Sequence, residues 1–144
     1  ITIAGADGAK GELRGGAKYT FRQFGLLKPR KMPNGSTLAA VTPEGFPSWK
    51  AGEQVVAFMY NPASRTGLQK TAGLAQGKLN VLDGRVQNEF HNRGLFDGVK
   101  IQDGLLSAKE REMLSSQGAV DAATFVGLVG RAVTGNWVAT GEMR

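Results

Sequence analysis

The apolar positions change period once along the chain. From residue 17 to about 102 they alternate, and from 105 to 135 they recur every three or four residues. Tyr19, Phe21 and Gln23 fall on one face of an extended segment, and Thr20, Arg22 and Phe24 on the other. Val55, Ala57 and Met59 likewise oppose Val56, Phe58 and Tyr60. Both of these faces are apolar, so residues 55–60 predict a central strand covered on both sides, with Phe58 buried in it. Asn61-Pro62 ends the run as a turn. Beyond a polar loop, residues 74–82 predict its partner strand, Asp83-Gly84 a two-residue hairpin turn, and residues 85–90 the returning strand. Antiparallel strands are thus expected near 17–25, 53–61, 73–82 and 85–91. Pro29, Pro33, Pro43 and Pro47 mark the segment before the central strand as irregular or edge-like.

In the last third the pattern is helical. Ser107 followed three residues on by Glu110 makes a capping box, with Gly118 as the closing residue. Asp121 can cap a second helix, whose Phe125, Leu128, Val129 and Ala132 share one face. Helices are expected near 107–117 and 121–134. Gly127 and Gly130 each weaken the second by about 1 kcal/mol relative to Ala, a cost that close packing on the sheet would explain. Residues 1–16 contain Gly5, Gly8, Gly11, Gly15 and Gly16 and leave room for one short strand at 1–4. There is no internal repeat or low-complexity linker. The chain reads as a single domain, 1–144, of the α+β class and mainly β: a glycine-rich segment 1–16, a β-rich core 17–102 with an antiparallel sheet, and two C-terminal helices within 105–135.

Composition narrows the function classes. At 144 residues, 41% hydrophobic and 21% charged, the chain can fold around one core. Its 21 glycines are about twice the usual share, which favours turns and short strands. No apolar run reaches the roughly 20 residues of a membrane span. The opening ITIAGADG is neither a signal peptide nor a methionine start, so Ile1 is expected to be a processed or trimmed end. The absence of cysteine excludes disulfides, thiolate catalysis and zinc ribbons. The net charge of +6 is concentrated early, in Lys10, Arg14, Lys18, Arg22, Lys28, Arg30 and Lys31 against Asp7 and Glu12. Such a surface suits nucleic acid or an acidic polymer. The interleaving of Tyr19, Phe21 and Phe24 with the polar residues favours a half-buried strand with a solvated basic face.

The chemical candidates are sparse. Residues 73–79, GLAQGKL, resemble a phosphate loop but have three residues between the glycines instead of four, and Leu79 instead of a hydroxyl after Lys78. A glycine bulge in a strand accounts for them better, and no nucleotide is expected. His91 is the sole histidine. A metal site or general base there would draw on Glu89, His91, Asp97 and Asp103, but one histidine cannot build the usual zinc cluster. Asp97 and Asp103 could form a glycosidase-like carboxylate pair, yet each precedes a glycine, a pattern that makes turns. Asn34-Gly35-Ser36 matches a glycosylation sequon in a loop. Trp49 and Trp137 are expected to anchor a core or an interface. No catalytic, cofactor or metal set emerges.

Residues 21–25 (FRQFG), 44–60 (EGFPSWKAGEQVVAFMY) and 72–82 (AGLAQGKLNVL) resemble a family of uncharacterised secreted bacterial proteins. Its pattern falls here on Gly45, Pro47, Gly52, Glu53, Phe58, Gly73, Leu74, Gln76, Gly77, Lys78 and Val81, within residues 19–84. The resemblance implies export, names no activity, and implies a sheet similar to a small OB-like barrel. Family members carry further strands upstream of the region where this chain begins, so the resemblance implies that the protein is processed, that its upstream part diverges, or that another chain completes the sheet edge.

Three function classes follow. The first is a non-enzymatic exported structural or interaction module, secreted or at the cell surface, acting as a subunit of an assembly with another protein chain or copies of itself. The second binds a polyanion or single-stranded nucleic acid through a basic OB-like barrel. The third is a hydrolase using Glu89, Asp97 or Asp103.

Overall fold

The computed structural model describes residues 1–9, 13, 15–26 and 28–144. Lys10, Gly11, Glu12 and Arg14 of the N-terminal segment lie outside the described residues. The structure is α+β with antiparallel sheets, and among the described residues the strands form three separate sheets with no closed barrel. β1 (Thr2–Ala6) pairs with β2 (Ala17–Thr20), so the glycine-rich segment supplies a strand despite its composition. β3 (Arg30–Lys31) and β4 (Thr37–Leu38) form a short hairpin in the proline-rich region. Its loop holds the sequon, where Ser36 N–H and Oγ–H both donate to Asn34 Oδ1. The main sheet has the order β5 (Gln54–Ala57), β6 (Lys78–Leu82), β7 (Arg85–Gln87), β8 (Val120–Asp121).

The alternation at 17–24 is realised as expected. Phe21 is buried and Tyr19 and Gln23 half-buried, while Thr20, Arg22 and Phe24 are exposed. Regular pairing nevertheless stops at Thr20, and Arg22 meets Leu68 only through an isolated bridge. The run at 55–60 is the main correction. It lies at the edge of the sheet, not its centre, and Phe58 is half-buried just beyond the strand. The reason is backbone pairing: Phe58 N–H donates to Gly77 O, Phe58 O accepts from Ala72 N–H, and Tyr60 N–H donates to Lys70 O. All three bonds lie on the side of β6 and the loop leading into it. Because backbone groups alternate sides along an antiparallel strand, Val55 and Ala57 turn theirs to the free edge.

The stretch 73–77 is not a bulged strand. Leu74–Gly77 form a single 3₁₀ turn, and the strand begins only at Lys78. The turn folds back so closely on the chain before it that a Cβ at Gly77 would collide with Ala72 O. Only glycine fits there. The Asp83-Gly84 turn is present, with φ 49° and 72°, the paired positive values that a two-residue hairpin of the primed type requires. After Gln87 the chain leaves the sheet three residues sooner than expected and runs through turns to α1.

Helix α1 (Ala108–Ser115) carries the expected capping box: Glu110 N–H donates to Ser107 Oγ and Ser107 N–H to Glu110 Oε2. It ends at Ser116, so Gly118 belongs to the turn into β8 and is not the cap. Helix α2 (Ala122–Thr134) starts on Asp121, whose Oδ2 accepts from Thr124 N–H at 2.7 Å. Gly127 and Gly130 have open space where a Cβ would be, which overturns the expectation that they allow close packing. A four-residue helix, α3 (Trp137–Thr140), follows. Phe125 and Leu128 of α2 join Leu79, Val86, Met113, Val120 and Trp137 in the core, and Phe58 stands edge-on to Phe125 at 6.1 Å. Trp137 is thus a core anchor, 7% exposed. Glu110 ties the helices together, since Arg131 Nη2 donates to both of its carboxylate oxygens at 2.8 Å. Burial alone would push the Glu110 carboxyl up. The hydrogen bonds from Ser107 and the Arg131 guanidinium outweigh it and hold the carboxyl below its ordinary value.

Candidate functional site

The carboxylates and histidine singled out from the sequence are not gathered into a catalytic constellation. Glu89 and His91 border a shallow concavity of about 380 Å³ with Gln76, Phe90 and Arg93; Asp97 and Asp103 are not among its lining residues. His91 is exposed, and its Nδ1 lies 3.4 Å from Gln87 Oε1. Asp97 and Asp103 sit in turns completed by Gly98 and Gly104, both at positive φ. Among the described residues no three His, Asp or Glu side chains come together as metal ligands. A buried polar residue in this region plays no part in the sequence-based candidates. Asn92 is 2% exposed; its amide nitrogen donates to Val86 O and Gly118 O, and its Oδ1 accepts from Asn88 N–H.

Lys78 of the loop-like motif is also structural. It is 5% exposed, and its ammonium donates to Glu53 Oε2 at 2.8 Å and Asn80 Oδ1 at 2.9 Å while lying 5.0 Å from the centre of the Trp49 ring. Trp49 packs edge-on against Phe21 at 5.1 Å and donates from its indole to Gln23 Oε1. These contacts make a second, smaller packed cluster between β2 and the start of β6.

Beside that cluster opens an apolar recess of about 220 Å³, lined by Phe24, Phe46, Tyr60, Leu68 and the residues next to them. Local chemistry explains why it keeps its shape. Asn61-Pro62 turns the chain after Tyr60, and Ala63 closes a tight turn by bonding to Leu68 O and accepting from Gly67 N–H. Gln69 then locks the returning segment. It is 7% exposed, donates to Tyr60 O, accepts from Tyr19 Oη–H, and takes a backbone bond to Arg22 O. The Arg22 guanidinium closes the far side on Thr66 O at 2.7 Å. Phe24 and Tyr60, at the mouth, remain 59% and 54% exposed. The recess comes from positions 24, 46, 60 and 68, and only the exposed aromatics Phe24 and Tyr60 at even spacing hint at it in the sequence.

Charge is distributed unevenly around this region. No carboxylate lies between Glu53 and Asp83, whereas Arg65, Lys70 and Lys78 do; Glu44 is the one carboxylate among residues 17–52, against Lys18, Arg22, Lys28, Arg30, Lys31 and Lys50. The Lys70 ammonium sits 5.6 Å from the centre of the Tyr60 ring.

Fold and site together define an α+β protein with an open main sheet and an apolar recess on its basic half. Comparison with family models, curated proteins and solved structures gives no match to the chain.

Proposed function

We propose that this chain is a non-enzymatic interaction module, exported, and working as a subunit of an extracellular or cell-surface assembly. The observation that carries the reading is the free edge of β5. Among the described residues β5 pairs on one side only, and its register turns the backbone groups of Val55 and Ala57 outward, beside half-buried apolar side chains; proteins normally cover or blunt such an edge. A strand contributed by another chain would satisfy these groups by sheet extension. The resemblance of residues 19–84 to exported bacterial proteins supports the location.

Sedimentation velocity at physiological salt tests the proposal. The isolated chain is expected to sediment as a species heavier than the monomer. Val55→Pro removes an N–H that faces the free edge, so it leaves the β5–β6 ladder intact and is expected to return the chain to the monomer. A wild-type chain that stays monomeric over the whole concentration range would refute the reading.

The concentration of positive charge in the first 82 residues favours polyanion binding as a second reading. Binding of an acidic polymer with a steep salt dependence, without self-association, would put that reading first.

A further inference from the structure

We infer that the recess between Phe24 and Tyr60 is the docking point for a short acidic segment of a partner protein, which inserts one aromatic or large aliphatic side chain. This rests on the interaction-module reading and gives its partner a chemistry. Three observations lead to it. The recess, at about 220 Å³, is smaller than the roughly 300–1,000 Å³ of small-molecule pockets, and suits a single side chain. Its apolar lining is open to solvent at Phe24 and Tyr60, the kind of exposed aromatic surface that marks an interaction site. Its surroundings are cationic, with Lys70 in the lining, Arg22 bound across the turn and Arg65 at the tip of that turn. A segment carrying Asp and Glu on either side of an apolar anchor complements both features.

Single-stranded nucleic acid fits less well. Base stacking needs bare ring faces in succession, and the Tyr60 ring already carries the Lys70 ammonium. Phe24 alone is left as an exposed platform at the mouth.

The test uses the full chain, labelled with ¹⁵N, and four probes: a short peptide of Asp and Glu with one central Phe, the same peptide with Ser at the centre, the Phe peptide with Lys replacing every acid, and an oligothymidylate. The acidic Phe peptide is expected to shift the amide signals of Phe24, Tyr60, Leu68 and Lys70. Replacing its Phe by Ser should weaken binding about tenfold or more, as loss of one buried aromatic does. Lys70→Glu in the protein should weaken it by about as much, and added salt should do the same progressively. Phe24→Ser, at an exposed position, should abolish the shifts while leaving the rest of the spectrum in place. The inference is overturned if no peptide binds, if the Ser or Lys peptide binds equally well, or if oligothymidylate moves the same signals more tightly. Absence of peptide binding together with self-association that Val55→Pro abolishes would remove the recess and leave the module reading standing. Peptide binding by a strictly monomeric chain would do the reverse.

Discussion

Asn92→Ala should be among the most damaging single substitutions outside the apolar core. The side chain is 2% exposed and makes three hydrogen bonds, donating to Val86 O at 3.0 Å and Gly118 O at 2.8 Å and accepting from Asn88 N–H at 2.9 Å. Those partners belong to β7, to the turn that follows it, and to the turn that enters β8. Each buried group left without a partner costs about 1–3 kcal/mol, and water entering the vacated space will recover part of that. Asn92 also sits at φ 57°, where asparagine is tolerated better than alanine. The total should be about 3–5 kcal/mol, a large share of the roughly 5–15 kcal/mol that holds a domain of this kind together. Urea denaturation at neutral pH measures it, with the exposed His91→Ala, which shares the left-handed backbone at φ 55°, as the neighbouring control at about 1 kcal/mol or less. Asn92→Asp adds a sharper test. Its carboxylate would face two carbonyl oxygens, so its deficit relative to wild type should shrink as the pH is lowered and the acid becomes a donor. Equal midpoints for Asn92→Ala and His91→Ala, or an Asn92→Asp deficit independent of pH, would refute the bracing role.

Phe58→Ala should cost about 2 kcal/mol, below the 3–5 kcal/mol of a fully buried phenylalanine, because the ring is only half-buried against Phe125; urea melts report this directly. Gly127→Ala should stabilise the chain by about 1 kcal/mol, since the helix gains a better former and the added Cβ meets nothing within 4 Å; thermal melting should show a higher midpoint. The Glu110 carboxyl titrates below its ordinary value of 4.5, so its stabilisation is complete above that pH and is lost as pH falls through the lowered folded value. Glu110→Gln should therefore be less stable than wild type at neutral pH and should lose less stability across that acid window, as denaturation at a series of pH values will record.

The parts of the fold that could be read from sequence were those in which one local signal decides the outcome. Alternation separated Phe21 from Phe24 onto opposite faces, Ser107 with Glu110 opened α1, Asp121 opened α2, and Asp83-Gly84 turned the hairpin. Where two contacts compete, pattern alone misled. Residues 55–59 are half-buried on both faces although β5 lies at the edge of the sheet; apolar faces report what packs above and below a strand, not its position within the sheet. Gly77 is required by the Ala72 carbonyl across a single 3₁₀ turn, a local close approach that strand alternation does not reveal. Gln69 and Asn92 look like loop polar residues, yet their burial depends on partners distant in the chain or hidden in turns. The recess was hidden for the same reason, since its walls come from four separated segments.

β8 is only two residues long, and its second residue, Asp121, is at once the ladder partner of Arg85 and the cap of α2. The next residue, Ala122, donates its N–H to Gly84 O at 2.8 Å, at the tip of the β6–β7 hairpin. The far edge of the sheet and the first turn of the longest helix therefore hang on the same few atoms and have no means of opening one at a time. In native-state hydrogen exchange the amides of Val120, Ala122 and Thr124 should share a single opening free energy with Val86, as one cooperative unit. The short hairpin of β3 and β4, whose four strand residues are all exposed, should exchange by its own local fluctuations well before that unit gives way.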